Sequence, residues 1–148
     1  MPSTHLSLYY HFVFSTKNRT PWILEPYQER LWAYLGGIVR GAAGVPHAVG
    51  GVEDPVHLLA QLSATCRICD LLRDLKSESS MWMHRVMSHP SFAWQEGYGA
   101  FSVSAPAVEA VKGYIQNQRV HHANRGFTAE YLDMLGMGRV EFKTEYLW

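Results

Sequence analysis

Tyr114 and Gln118 stand four residues apart in the run VKGYIQNQRVHH. On a helix that spacing puts both side chains on one face. A phenol beside a carboxamide can act as a nucleophile next to a ligand for a metal or a phosphate. The free phenol ionises near ~10, so it needs a metal or a base to attack at neutral pH. The same spacing also describes a surface or core tyrosine beside a solvated glutamine. His57, in VHLLAQL, is the second candidate. Strand alternation would set Glu53, Pro55, His57 and Leu59 on one face. A donor two residues from His57 would make a metal-binding pair, but Pro55 carries no ligand atom. Alone, His57 also fits a hydrogen-bonded core histidine.

Other residues carry weaker signals. Cys66 and Cys69 form a C-x-x-C, which on a helix reads better as two small buried thiols than as half of a zinc site. His121 and His122 follow Tyr114 by about two turns, and His122 returns to roughly its face. They fit phosphate or metal partners, or a helix C-terminus favoured by its dipole. Lys17, Arg19, Arg73, Lys76 and Arg119 are scattered singly. They read as a solvated surface or as a track for a DNA backbone.

These groups need a scaffold, and the chain is long enough to build one. It has 148 residues, 47% apolar and 18% charged, the composition of one folded domain with a core. Thirteen basic residues balance thirteen acidic ones. The zero sum argues mildly against nucleic acid but leaves room for a local basic patch. No signal peptide or span of ~20 apolar residues is legible, so a cytoplasmic protein is expected.

The pattern predicts a buried strand over 6–14 (LSLYYHFVF) and a basic loop over 15–20. A helix is expected from Pro21 to Arg40, ended by Gly41 and Gly44. Strands follow over 46–53 and 56–62, then a helix over 66–84, a loop, and a strand over 98–104. A third helix spans about 106–122 and a short one 128–135. The order β-α-β-β-α-β is ferredoxin-like: an α+β antiparallel sheet with added C-terminal helices. The third helix must pack on this sheet or on another chain.

Five segments resemble, in order, the HUH-type single-tyrosine transposases of the insertion-sequence 200/605 group and their REP-associated relatives. They are YHFVFSTKNR at 10–19, VGGVEDPVHLL at 49–59, FAWQEGYGAFSVS at 92–104, VKGYIQNQRVHH at 111–122 and FTAEYLDML at 127–135. The resemblance implies a homodimer whose third helices carry Tyr114, and binding of hairpin DNA with a flanking single strand. It implies attack by Tyr114 on a phosphodiester, leaving a 5′-phosphotyrosine and a free 3′-OH. It also implies Mg²⁺ or Mn²⁺, with His57 and Gln118 at two ligand positions.

The family pattern His-hydrophobic-His reads here as Pro55-Val56-His57. Losing a ligand predicts weakened metal binding, with Glu53 the candidate substitute. Two other readings compete with an active transposase. One is a degenerate hairpin-binding protein of the same fold. The other is a dimeric α+β module whose partner is a protein.

Overall fold

A computed structural model describes residues 3–147, with the backbone only at 121, 123 and 124. The elements are β1 (Tyr9–Ser15), α1 (Glu25–Gly41), β2 (Val45–Gly51), β3 (Pro55–Gln61), α2 (Ile68–Arg85), β4 (Gly99–Val103), α3 (Val108–Gln116), α4 (Gln118–Asn124) and α5 (Phe127–Met137). The strands form one antiparallel sheet in the order β2-β3-β1-β4. The expected α+β sheet with added C-terminal helices is therefore present.

The central strands β1 and β3 are buried on both faces, which is why they read as apolar runs without alternation. One face carries Phe12, Phe14, Val56, Leu58 and Ala60 against Leu31, Leu35 and Val39 of α1 and Leu71, Leu72 and Leu75 of α2. On the other, Ala48 and Leu59 meet Val108 and Ile115 of α3, and Val13 meets Phe127, Tyr131 and Leu135 of α5. The third helix thus packs on its own chain's sheet. Burying apolar area on both sides, at about 25 cal/mol per Å², gives the sheet two cores rather than one.

Two glycines let the second layer come close. A Cβ on Gly50 of β2 would lie 2.6 Å from the Ile115 carbonyl of α3, and one on Gly99 of β4 would lie 2.7 Å from the Tyr131 hydroxyl of α5. Both approaches seat helices that carry candidate site residues.

Several boundaries differ from the sequence expectation. The first helix begins at Glu25 rather than Pro21, with proline in its first turn at Pro26. The preceding segment is tied down instead, Ile23 N–H donating to the Glu53 carbonyl at 2.9 Å. Pro55 opens β3 and pairs with Ser15, a strand's first position being one that proline tolerates. The expected continuous helix over 106–122 is broken at Asn117 (φ −105°, ψ 26°), so Tyr114 lies in the last turn of one helix and Gln118 begins the next. Cys66 precedes α2 and is only partly buried, while Cys69 is exposed, so the buried-thiol expectation fails. Among the described residues no helix is long and apolar enough to cross a membrane.

Candidate nucleophile and metal-ligand cluster

Strand register builds the floor of the site. His57 pairs with Val13 and His11 with Leu59, so the two imidazoles are diagonal neighbours on the face covered by α3, α4 and α5. His11 Nε2 lies 2.9 Å from His57 Nδ1, and both rings are buried. Stacking two imidazolium ions there is unfavourable. Burial, then the neighbouring His57, pushes the His11 pKa down to about 3.

Tyr114 lies over this pair. Its ring centroid is 5.8 Å from that of His57 and 6.3 Å from that of His11, in edge-on contacts. Gln118, across the Asn117 break, donates from Nε2 to the Tyr114 carbonyl at 3.3 Å. Its Oε1 is buried with no hydrogen-bond partner among the described residues. A buried amide oxygen left without a donor is costly, and a cation would relieve it.

The remaining donors come from α4 and α5. His57 Nε2 lies 3.0 Å from Glu130 Oε1, and His122 Nε2 lies 3.6 Å from the same oxygen. These three ligand atoms lie within 4.8 Å of one another. Glu130 is only 6% exposed. Burial alone would raise its carboxyl pKa. The imidazoles of His122 and His57 beside it outweigh that and hold it below the usual range. Tyr114 is pushed the other way, first by burial and then by its hydrogen bond to the Glu130 carboxylate, with Gln118 and Arg125 opposing. The phenol therefore stays protonated while the carboxylate is bare. Beside it opens a cavity of about 660 Å³ lined by His11, Val111, Tyr114, Arg125, Glu130 and Met134.

The structure thus brings together Tyr114, His57 and Gln118 of the sequence candidates, with His122 beside them. Glu53 does not join them. It sits in the turn before β3, where alternation no longer applies, and its carboxylate takes Arg119 Nη1 at 3.3 Å. Arg119 also reaches Glu25 at 3.9 Å. Lys17 is exposed beyond β1, and Arg19 donates to the Thr128 hydroxyl at 2.9 Å. Arg73 and Lys76 lie on α2, across the sheet from Tyr114. Arg73 is paired with Asp70 and Asp74, and Lys76 Nζ donates to the Gln95 carbonyl at 2.7 Å and to that of Gly97. The side chain of His121 lies outside the described residues.

His11 and Glu130 were missed from the sequence. A signal for Glu130 existed: it falls among Phe127, Tyr131 and Leu135 on the buried stripe of α5, where a lone carboxylate needs partners.

Comparison with known proteins agrees with this architecture. A family model described as "Transposase IS200 like" matches residues 4–118. A crystal structure of a protein from Deinococcus radiodurans R1 assigned as a transposase superposes with a TM-score of 0.63 at 23% identity, covering 80% of this chain and 96% of that one. A REP-associated tyrosine transposase bound to a REP hairpin gives 0.60 at 14% identity, covering 82% of this chain and 74% of that one. At these identities the likeness is one of fold. No curated protein matches the sequence.

Proposed function

Because the chain belongs to the IS200-like transposase family, whose work is DNA transposition, we propose that it cleaves and rejoins single-stranded DNA at hairpin-flanked ends through Tyr114. The observation that carries this reading is the Tyr114 ring held 5.8 Å from His57, on a helix of the same chain. Tyr114 and His57 meet within one chain.

The residues fit a divalent ion such as Mg²⁺ or Mn²⁺, because the buried Gln118 Oε1 lacks a donor and the Gln118 side chain meets Tyr114, whose ring lies beside His57. His57 and Gln118 would hold it. Bound there, it would polarise the scissile phosphate and offset the negative charge that keeps the phenol protonated. Tyr114 Oη attacks phosphorus and loses its proton. The P–O3′ bond breaks, the departing oxygen takes up a proton as a free 3′-OH, and a 5′-phosphotyrosine remains. Attack by a 3′-OH on that ester reverses the step, and no ATP is needed because the ester retains the bond energy. Gly50 and the Asn117 break set the height and angle of Tyr114 over the sheet. Lys17 and Arg19, at the end of β1, suit contact with the DNA backbone.

The test is a denaturing gel of the protein with a labelled hairpin oligonucleotide and Mn²⁺. A covalent adduct is expected, and its absence in Tyr114→Phe assigns the nucleophile. A second reading, a hairpin binder without cleavage, is favoured by one observation: Pro55 occupies a ligand position of the family pattern. Hairpin binding without any adduct would establish it.

A further inference from the structure

We propose that Glu130 and His122, from α5 and α4, replace the ligand that Pro55 cannot supply, making a His57–Gln118–His122–Glu130 site for a divalent transition-metal ion. This rests on the reading of Tyr114 as a metal-assisted nucleophile, but its own support is geometric.

Glu130 Oε1 is approached by two imidazole Nε2 atoms at 3.0 and 3.6 Å, and the three ligand atoms span no more than 4.8 Å. A cation can sit at the centre of so small a set and touch every member. Gln118 Oε1 is buried and without a hydrogen-bond partner among the described residues, and the Gln118 side chain, like Glu130, hydrogen-bonds Tyr114, so a fourth donor is available beside the cluster. His57 is oriented for the role. If its Nδ1–H donates to His11 Nε2, at 2.9 Å, its Nε2 lone pair faces the cluster.

Position matters as much as distance. Glu130 and His122 both lie beyond residue 118, where the family match ends. The C-terminal segment that supplies them is therefore additional to the matched core. Proline at 55 and a carboxylate at 130 make sense together: one ligand is lost from the strand and another is brought over it by a helix. Glu53, the nearer carboxylate in sequence, is taken by Arg119.

The donor set also predicts the ion. Two imidazoles, one carboxylate and one amide oxygen suit Mn²⁺ or Zn²⁺ better than Mg²⁺, which prefers oxygen ligands and keeps its waters.

Isothermal titration of the full chain with MnCl₂ tests this. Glu130→Gln, which keeps the shape of the side chain, is expected to weaken Mn²⁺ binding by about tenfold or more, and Glu53→Gln to leave it unchanged. Equal affinity in wild type and Glu130→Gln overturns the proposal, as does no Mn²⁺ binding by wild type at millimolar concentration. If Glu130→Gln does not fold, ¹⁵N imidazole shifts of the wild type on titration with ZnCl₂ decide the matter. Metal-bound Nε2 shifts at both His57 and His122 support it, and a shift at His57 alone overturns it. The two readings fail separately. Glu130-dependent Mn²⁺ binding without a DNA adduct removes the cleavage reading and keeps this site. An adduct whose Mn²⁺ affinity ignores Glu130 does the reverse.

Discussion

Gly50 of β2 meets the backbone of Ile115 on α3 so closely that a Cβ there would stand 2.6 Å from the Ile115 carbonyl. Tyr114 is the neighbouring residue, so this contact sets how near the proposed nucleophile comes to the sheet that carries His57. Gly50→Val should push α3 outward. Overpacking of this kind costs about 1–3 kcal/mol, measurable by urea denaturation. Adduct formation should fall more than stability does, because a displacement of ~1 Å is felt strongly at a reacting centre. Unchanged adduct yield would mean that the helix has slack.

Tyr114→Phe should abolish the covalent adduct and leave hairpin binding in place. The variant loses the hydroxyl that hydrogen-bonds Glu130, at a cost of about 1 kcal/mol. A Phe variant that still forms the adduct would remove Tyr114 from the mechanism.

Pro55→His should restore Mn²⁺ affinity to the Glu130→Gln protein. Position 55 shares the strand face of His57 and opens β3, where a backbone N–H can be added without disrupting the ladder. Titration calorimetry of the double variant measures this, and no recovery would place residue 55 out of reach of the ion.

Stability should fall as pH drops from about 6.5 toward 3. The His11 pKa is lowered in the fold from 6.5 to about 3 by burial and then by His57. Between those values the unfolded chain binds a proton that the folded chain refuses, so its contribution is complete above 6.5 and is lost on acidification. One such proton gives a slope of up to about 1.4 kcal/mol per pH unit. Denaturation at pH 7.5 and 4.5 should show a smaller pH effect in His11→Gln than in wild type. An identical effect would assign the pH dependence elsewhere.

The basic residues should separate by face. Lys17→Ala and Arg19→Ala are expected to weaken hairpin binding and to flatten its salt dependence, by roughly one unit of slope per lost contact. Arg73→Ala should do neither, because Arg73 is neutralised by Asp70 and Asp74 on the far side of the sheet. Fluorescence anisotropy across a salt series distinguishes them. An equal loss from Arg73→Ala would move the DNA path to α2.

The order of elements was legible in the chain because it depends on local signals. Apolar runs marked the central strands, and the β-α-β-β-α-β order allowed few topologies. Tyr114, Gln118 and His57 were legible as chemistry-bearing residues, and the family resemblance tied them to one another. What the sequence alone determined was which side chains could react. Whether they meet was decided by tertiary contacts: β1–β3 register put His11 against His57, and two glycine-seated helices closed over them. Glu53 appeared close to His57 because the two are near in sequence, but the turn before β3 breaks the alternation and Arg119 claims the carboxylate. Glu130 appeared remote, and only the packing of α5 on the sheet brings its oxygen 3.0 Å from His57. Periodicity reports which face a residue occupies on its own element, whereas a site assembled from five elements depends on how those faces are stacked.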